Sequence, residues 1–257
     1  MDNPTPEGRD KEQLSSFIRG LAVIEIFSER RRRLSITEVA EAVSTTKATA
    51  RRVLRSLVAS GYADFDGHTF DLTPRVLRLG YAYLSSQTIV QLAEPVLREL
   101  RSKSGLSALM SVLDGEEIVI VARAPADQLV TIRSEIGNRL PAFCTSMGRA
   151  ILSGLPDAEM VRIIRSKRTK PLTPKTETDP KRLIAVVKEI QRSGYSLVDQ
   201  EIENGLVSMA MPVRNARVGR RYAVCVSAHT SQMSAKDMRS KVLNYLREAV
   251  RTLDTAG

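Results

Sequence analysis

Residues 45–61, TTKATARRVLRSLVASG, decide how the first third of this chain folds. Ala50, Val53, Leu54, Leu57 and Val58 recur at i, i+3, i+4, i+7 and i+8, which stacks them along one side of an α-helix. Wound forward at the helical pitch, Thr45, Ala48, Arg52 and Arg55 fall on the opposite side, with Thr49, Arg51 and Ser56 along its edges. One side is fit for burial. The other carries guanidinium groups, short polar side chains and no acid. Such a face suits a major groove, where small side chains permit close approach and Arg reaches guanine edges or phosphates. A solvated surface helix fits the same pattern, so the flanking segments decide.

Those segments favour nucleic acid. The net charge of the chain is +10, and between Arg30 and Arg55 eight basic residues (Arg30, Arg31, Arg32, Arg33, Lys47, Arg51, Arg52, Arg55) stand against two acids, Glu38 and Glu41. The run Arg30 to Arg33 cannot be buried; it reads as a solvated turn whose charges can neutralise phosphates. Ser35 and Glu38 form an S-x-x-E capping box that opens a short helix with Val39, Ala40 and Val43 inward. Ser44 makes the turn, and Thr45 or Thr46 caps the two-faced helix, giving a helix-turn-helix whose second helix is basic and outward-facing. Upstream, Ser15 or Ser16 caps a first helix with Phe17, Leu21, Ile24 and Phe27 on its apolar side, ending near Glu29. Downstream, Gly61 ends the basic helix, and YADFDGHTFDL reads as a hairpin around Asp66-Gly67, the wing of a winged helix. Its tip is not basic, and Phe65 and Phe70 are expected to anchor it to the helices. Thr73-Pro74 then starts a helix to Leu84 whose Val76, Leu77, Leu79, Tyr83 and Leu84 exceed what a linker needs, so subunit packing is expected there.

With 257 residues the chain has room for two domains, and its 42% hydrophobic content supports packed cores. No apolar run is long enough to span a bilayer, and the first fourteen residues lack the apolar core of a secretory signal, so a cytoplasmic protein is expected. Two cysteines, Cys144 and Cys225, and two histidines, His68 and His229, are too few for a Cys/His zinc site or a disulfide framework. Neither a Gly-rich phosphate loop nor metal-ligand spacing occurs, so no cofactor is expected. The enzymatic or redox alternative rests on Cys144 and Cys225 as working thiols, with no activating base evident beside either.

From Thr88 the pattern is mixed. A helix around Val96, Leu97 and Leu100 ends at Gly105, with Pro95 starting or kinking its regular part. Strands are expected at Leu106 to Leu113 and Glu117 to Ala124 around Asp114-Gly115, and at about Leu129 to Ser134. Asp179-Pro180 opens a helix that Gly194 closes; strands Leu206 to Val213 and Tyr222 to Ala228 flank a basic turn; Ser234 caps a terminal helix. This is an α+β pattern around an antiparallel sheet. Split by the period of two, the last two strands put Val207, Met209, Met211, Val224 and Val226 on a core face. Ser208, Ala210, Ala223, Cys225 and Ser227 fall on the other, where small side chains leave room for a ligand or for a closely packed helix. In RLPAFCTSMGRAILSG, Arg139 to Gly154, Thr145 or Ser146 caps a helix whose first amides could hold a ligand carboxylate.

Arg19 to Ile24 (RGLAVI), Thr46 to Gly61, Gly137 to Pro141 (GNRLP) leading into Thr145 to Ala150 (TSMGRA), and Gly194-Tyr195 through Glu201, Gly205, Ser208, Ala210 and Pro212-Val213 together resemble the IclR family of bacterial transcriptional regulators, from about Ser16 to Leu253. The resemblance implies a winged helix-turn-helix at 15–73, a linker helix at 74–86 and a GAF-like effector and oligomerisation domain at 87–253. It implies dimers, often tetramers, on a palindromic double-stranded DNA operator. It implies an effector site at Ser146, Met147, Asp199, Ser208, Cys225 and Ser227, with Glu201 from the same segment. LPAFCTSMGRA together with VSAHTS, Val226 to Ser231, is similar to the branch controlling aromatic-acid catabolism through protocatechuate, p-hydroxybenzoate or β-ketoadipate. Members with glyoxylate-like ligands carry an acid where this chain has Val198, which argues against a very small polar effector.

Overall fold

The computed structural model describes residues 14–28, 31–126, 135–166, 170–215 and 221–256. Contacts divide the chain into two compact units, Met1–Ala82 and Tyr83–Gly257. Arg30, the strand expected at Leu129 to Ser134 and most of the basic turn before Tyr222 lie outside the described residues.

In the first unit, helices α1 (Ser15–Glu25), α2 (Ile36–Ala42) and α3 (Lys47–Ala59) precede a hairpin of β1 (Ala63–Phe65) and β2 (Phe70–Leu72). The capping box at α2 is closed: the Ser35 amide donates to Glu38 Oε2 at 2.8 Å, and the Glu38 amide to Ser35 Oγ at 3.4 Å. Ser44 turns the chain at φ 49°, and Thr46, rather than Thr45, caps α3 by accepting the Thr49 amide at 3.2 Å. Val23, Leu34, Val39, Ala40, Ala50, Leu54, Leu57, Ala63 and Phe70 form the core. Leu34 exchanges backbone hydrogen bonds with Phe70 and so ties the segment before α2 to the hairpin. Phe70 is buried and stacks at 4.5 Å on Phe65, which is itself half exposed.

Helix α1 differs from expectation. No side chain caps it, it ends at Glu25, and Phe17 and Leu21 are exposed while Val23 is buried. Two apolar stripes run along it. Val23 and Ile24 turn to the core, whereas Leu14, Phe17, Ile18 and Leu21 share a second, exposed side. After β2, Thr73 accepts the Arg75 amide and starts a 3-10 turn, Pro74–Val76, that leads into α4 (Leu77–Ser86). Leu77, Leu79 and Tyr81 of α4 are exposed.

The second unit is built on a six-stranded antiparallel sheet in the order β5-β4-β3-β8-β7-β6. Its strands are β3 (Ser107–Asp114), β4 (Glu117–Ala124), β5 (Arg139–Pro141), β6 (Ser196–Asp199), β7 (Leu206–Val213) and β8 (Tyr222–His229). One face packs on α5 (Thr88–Ser104) and α9 (Ala235–Thr255) through Met110, Val207, Met209, Val224 and Val226. The other packs on α6 (Ser146–Ser153), α7 (Asp157–Arg165) and α8 (Pro180–Ser193) through Leu109, Ile118, Ala210, Ala223 and Cys225. Helix α5 runs through Pro95 and ends at Gly105, whose φ of 70° takes the left-handed conformation that closes the helix. A bulge between Met110 and Ser111 shifts the β3–β4 register. No helix among the described residues is long and apolar enough to cross a membrane.

Candidate functional site

Two sites emerge, one in each unit. On α3, Ala50, Leu54 and Leu57 are buried, while Thr46, Lys47, Ala48, Arg51, Arg52 and Arg55 are exposed and Thr45 and Thr49 are half-buried. Among the described residues no ion pair engages Lys47, Arg51, Arg52 or Arg55, so this side presents four free cations and no acid. Arg31, Arg32 and Arg33 are exposed as well, but Arg33 leans on the hairpin, 3.7 Å from Asp66 and 3.8 Å from Asp71. The hairpin tip is acidic. Asp66 accepts the amides of Thr69 at 2.7 Å and His68 at 2.9 Å, which with the Thr69 hydroxyl and nearby Arg33 hold its carboxyl down at about 2. Positive charge therefore sits on α3 and the segment before α2, and the hairpin tip repels phosphate.

In the second unit, a cavity of about 490 Å³, counted out to its mouth, lies between the sheet and the start of α6. Ser146 and Met147 of α6, Ser208 of β7, and Cys225 and Ser227 of β8 line it, together with Thr145, Leu109, Ile120, Leu140, Ile202, Glu203 and Leu206. The register explains the convergence: Ser208 pairs with Ser227, and Cys225 with Leu109, so these side chains share one face of the sheet. Above them Thr145 caps α6, accepting the Gly148 amide at 3.0 Å while its hydroxyl donates to the Pro141 carbonyl at 3.0 Å. A Cβ on Gly148 would stand 2.2 Å from the Ala142 carbonyl oxygen, so only glycine lets α6 seat against the turn before it. The Ser146 and Met147 amides, at the first turn of α6, have no earlier helical carbonyl to bond.

Asp199 and Glu201, which the resemblance places with the effector, are not among the residues that line this cavity. Asp199 pairs with Val207, on the face opposite Ser208, and binds Lys175 Nζ at 3.0 Å; that ammonium lowers its carboxyl pKa. The strand's alternation puts buried Val198, not Asp199, on the cavity side. Glu201 is a structural anchor: both its oxygens take the Arg149 guanidinium, at 2.6 and 2.7 Å, and Oε2 also accepts the Glu177 amide at 2.9 Å. Arg149 in turn donates to the Phe143 carbonyl at 2.7 Å. The clasp ties α6 to the segment that supplies Ile202 and Glu203 to the cavity wall.

The two thiols are poorly placed for chemistry. Both are buried, and burial pushes Cys144 and Cys225 each up to about 12, so they are neutral thiols at physiological pH. Leu109, Ile120, Ile202, Glu203 and Leu206 were not singled out from the sequence as site residues; strand alternation places some of them on a face, but only the register aligns the strands.

Comparison with known proteins identifies the domain in each unit. Residues 16–67 match the IclR helix-turn-helix domain, and residues 81–255 match the bacterial transcriptional regulator IclR C-terminal domain. The Pca regulon regulatory protein of Pseudomonas putida is 36% identical over 245 residues, covering 95% of this chain and 84% of that protein. The p-hydroxybenzoate hydroxylase transcriptional activator of Acinetobacter baylyi is 35% identical over 252 residues, 96% of this chain and 93% of that protein. Among solved structures, the inducer-binding domain of the Acinetobacter transcription factor PobR, a double mutant in complex with 3-hydroxybenzoic acid, superposes with a TM-score of 0.60 at 30% identity, covering 64% of this chain and 97% of that one. With an exposed basic helix in one unit, a cavity in the other and both family domains matched along the chain, this protein belongs to the IclR family of DNA-binding transcriptional regulators.

Proposed function

We propose that this regulator binds a single-ring aromatic carboxylic acid in the cavity between α6 and the sheet, and that the bound acid sets how its α3 helices engage operator DNA. The observation that carries the ligand reading is convergence: Ser146, Met147, Ser208, Cys225 and Ser227, drawn from three separate segments, meet around one cavity walled by Leu109, Ile120 and Leu140. The walls are largely apolar and the few polar groups, Thr145, Ser146, Ser208, Ser227 and Glu203, are spread around them, a lining that suits an aromatic ring carrying polar substituents. That a related inducer-binding domain holds 3-hydroxybenzoic acid supports the same chemical class.

On this reading residues 15–73 bind DNA, 74–86 link, and 87–253 bind effector and oligomerise, in the cytoplasm. Two protomers present two α3 helices to half-sites of a palindrome roughly 34 Å, or a multiple of it, apart. Leu77 and Tyr81 of α4 and Phe17 of α1, each well over half exposed, are apolar surface that a second copy would cover in a dimer or tetramer. The effector acts by binding one arrangement of the assembly more tightly than another. A thermal-shift panel of benzoate, hydroxybenzoates and dihydroxybenzoates against aliphatic dicarboxylates and glyoxylate tests the ligand class. An aromatic acid at about 100 times its Kd adds roughly 2.7 kcal/mol to native stability. A shift with aliphatic acids and none with aromatic ones would reject the proposal.

A further inference from the structure

The cavity is electrically lopsided. Its only carboxylate among the described lining residues is Glu203, which sits just ahead of β7, where the Leu206 amide donates to its carbonyl at 3.2 Å. At the opposite side of the sheet, β4 places Arg123 directly across from Leu109, and antiparallel partners point to the same face. Leu109 lines the cavity, so the Arg123 side chain rises from the cavity face of the sheet beside it. The bulge at Met110/Ser111 is what puts Arg123 there. Met110 pairs with Ala122 on the α5–α9 face, while Ser111 pairs with Ile120, so Val121 is the extra residue.

Arg123 is largely buried, at 22% side-chain exposure, and its one partner among the described residues is the carboxylate of Glu135, which is 69% exposed. Glu135 comes from the segment that runs along the outer edge of β4, where the Gly137 amide donates to the Ile120 carbonyl at 2.8 Å. Arg123 is not itself part of the cavity lining, but it is a sheltered guanidinium one strand from Leu109, which is, and the carboxylate it holds is carried by an exposed side chain that can be exchanged for another. Arg is the side chain whose planar fork matches that group in two parallel hydrogen bonds.

Building on the ligand class above, we infer that Arg123 is the effector's carboxylate anchor, that the effector displaces Glu135 from it, and that the ring's far substituent points to Glu203. Glu203, in the cavity wall, repels a ligand carboxylate and accepts a hydrogen bond from a ring hydroxyl, so Arg123 and Glu203 together orient a hydroxyaromatic acid. The expected carboxylate position at the first turn of α6 is then taken by a neutral part of the ligand.

Isothermal titration of the full-length protein with 4-hydroxybenzoate and its neutral isostere 4-hydroxybenzamide tests this orientation. In Arg123→Met, affinity for the acid is expected to fall about tenfold or more, in line with loss of a hydrogen bond to a charged group, while affinity for the amide stays put. Arg123→Lys, which keeps the charge and loses the fork, should fall between, and Glu135→Gln should tighten acid binding by removing the competing carboxylate. Undiminished acid binding by Arg123→Met, or an equal loss for acid and amide, overturns the anchor. Unchanged or weaker acid binding by Glu135→Gln overturns the displacement. If the wild-type protein binds no aromatic acid at all, the ligand class itself fails, and the anchor with it.

Discussion

Replacing Arg149 by Met should be among the more damaging single changes in the second unit. The side chain is 4% exposed, its guanidinium makes two hydrogen bonds to Glu201 and one to the Phe143 carbonyl, and Met fills much of the same length without charge. What remains is Glu201, 13% exposed, as an uncompensated carboxylate held by the Glu177 amide. Breaking one side of a buried pair costs about 3–5 kcal/mol, because the stranded charge keeps its desolvation penalty. For a domain of this size each kcal/mol moves Tm by roughly 2–4 °C, so the expected drop is about 6–20 °C. Thermal unfolding of the single variant beside Arg149→Met/Glu201→Leu separates causes. If the stranded charge is the dominant cost, the double variant recovers part of the loss even though the Glu177 amide now lacks its acceptor. A single variant within about 1 kcal/mol of wild type, or losses that simply add in the double, would refute the view that the clasp is a coupled buried pair. Because Ile202 and Glu203 follow Glu201 into the cavity wall, effector affinity should fall in the single variant at temperatures where it is still folded.

Three further outcomes follow from the exposed and buried extremes of the molecule. Arg52→Ala should weaken operator binding and lower the slope of log K against log salt by about 1 if Arg52 meets a phosphate, with effector binding intact in titration; unchanged operator affinity at moderate salt would misplace the recognition face. In the native protein at pH 8, Cys144 and Cys225 should resist thiol reagents until unfolding, and a Cys-to-Ser double variant should keep its effector response; rapid native modification coupled to loss of DNA binding would instead revive a thiol switch. Because folding raises both thiol pKa values from 9.0 to about 12, the native state retains protons that the unfolded chain releases, so stability should decline as pH climbs from 9 towards 12.

Local periodicity carried the first unit well. The apolar stripe of α3, the capping box at Ser35 and the Asp66-Gly67 turn are short-range patterns, and each matches the element it marks. Where one helix bears two apolar stripes, periodicity alone misassigns them. Phe17 and Leu21 look like core from spacing, yet Val23 is the buried residue of α1. In the second unit the long strands were legible, whereas β5 and β6, of three and four residues, and α7 were not. Such short edge strands are stabilised by pairing with a neighbour rather than by their own sequence. Arg123 was invisible for a related reason: its face depends on a bulge in β4, and moving past one extra residue flips every side chain beyond it. Asp199 came from the resemblance alone, and the register puts its neighbour Val198, not Asp199, on the face of Ser208.

The small residues of β7 and β8 had two possible uses, room for a ligand or room for a helix, and the structure assigns both to one face. Ala210 and Ala223 belong to the apolar cluster with Met147, Ala150 and Ile151, so there the lack of side-chain bulk is consumed by the close approach of α6. Ser208, Cys225 and Ser227 lie on the same face and line the cavity with Ser146 and Met147 of the first turn of that helix, Cys225 belonging to the apolar cluster as well, and there the lack of bulk remains as cavity. Where the helix begins is therefore what divides packing from pocket. That boundary is set by Thr145 as cap, by Gly148 against the Ala142 carbonyl, and by Arg149 clasped to Glu201. Three consecutive demands on residues 145–149 thus fix the ceiling of the cavity, while the sheet register fixes its floor. A substitution that shifts α6 by even part of a turn changes ligand space without touching a single residue of the floor.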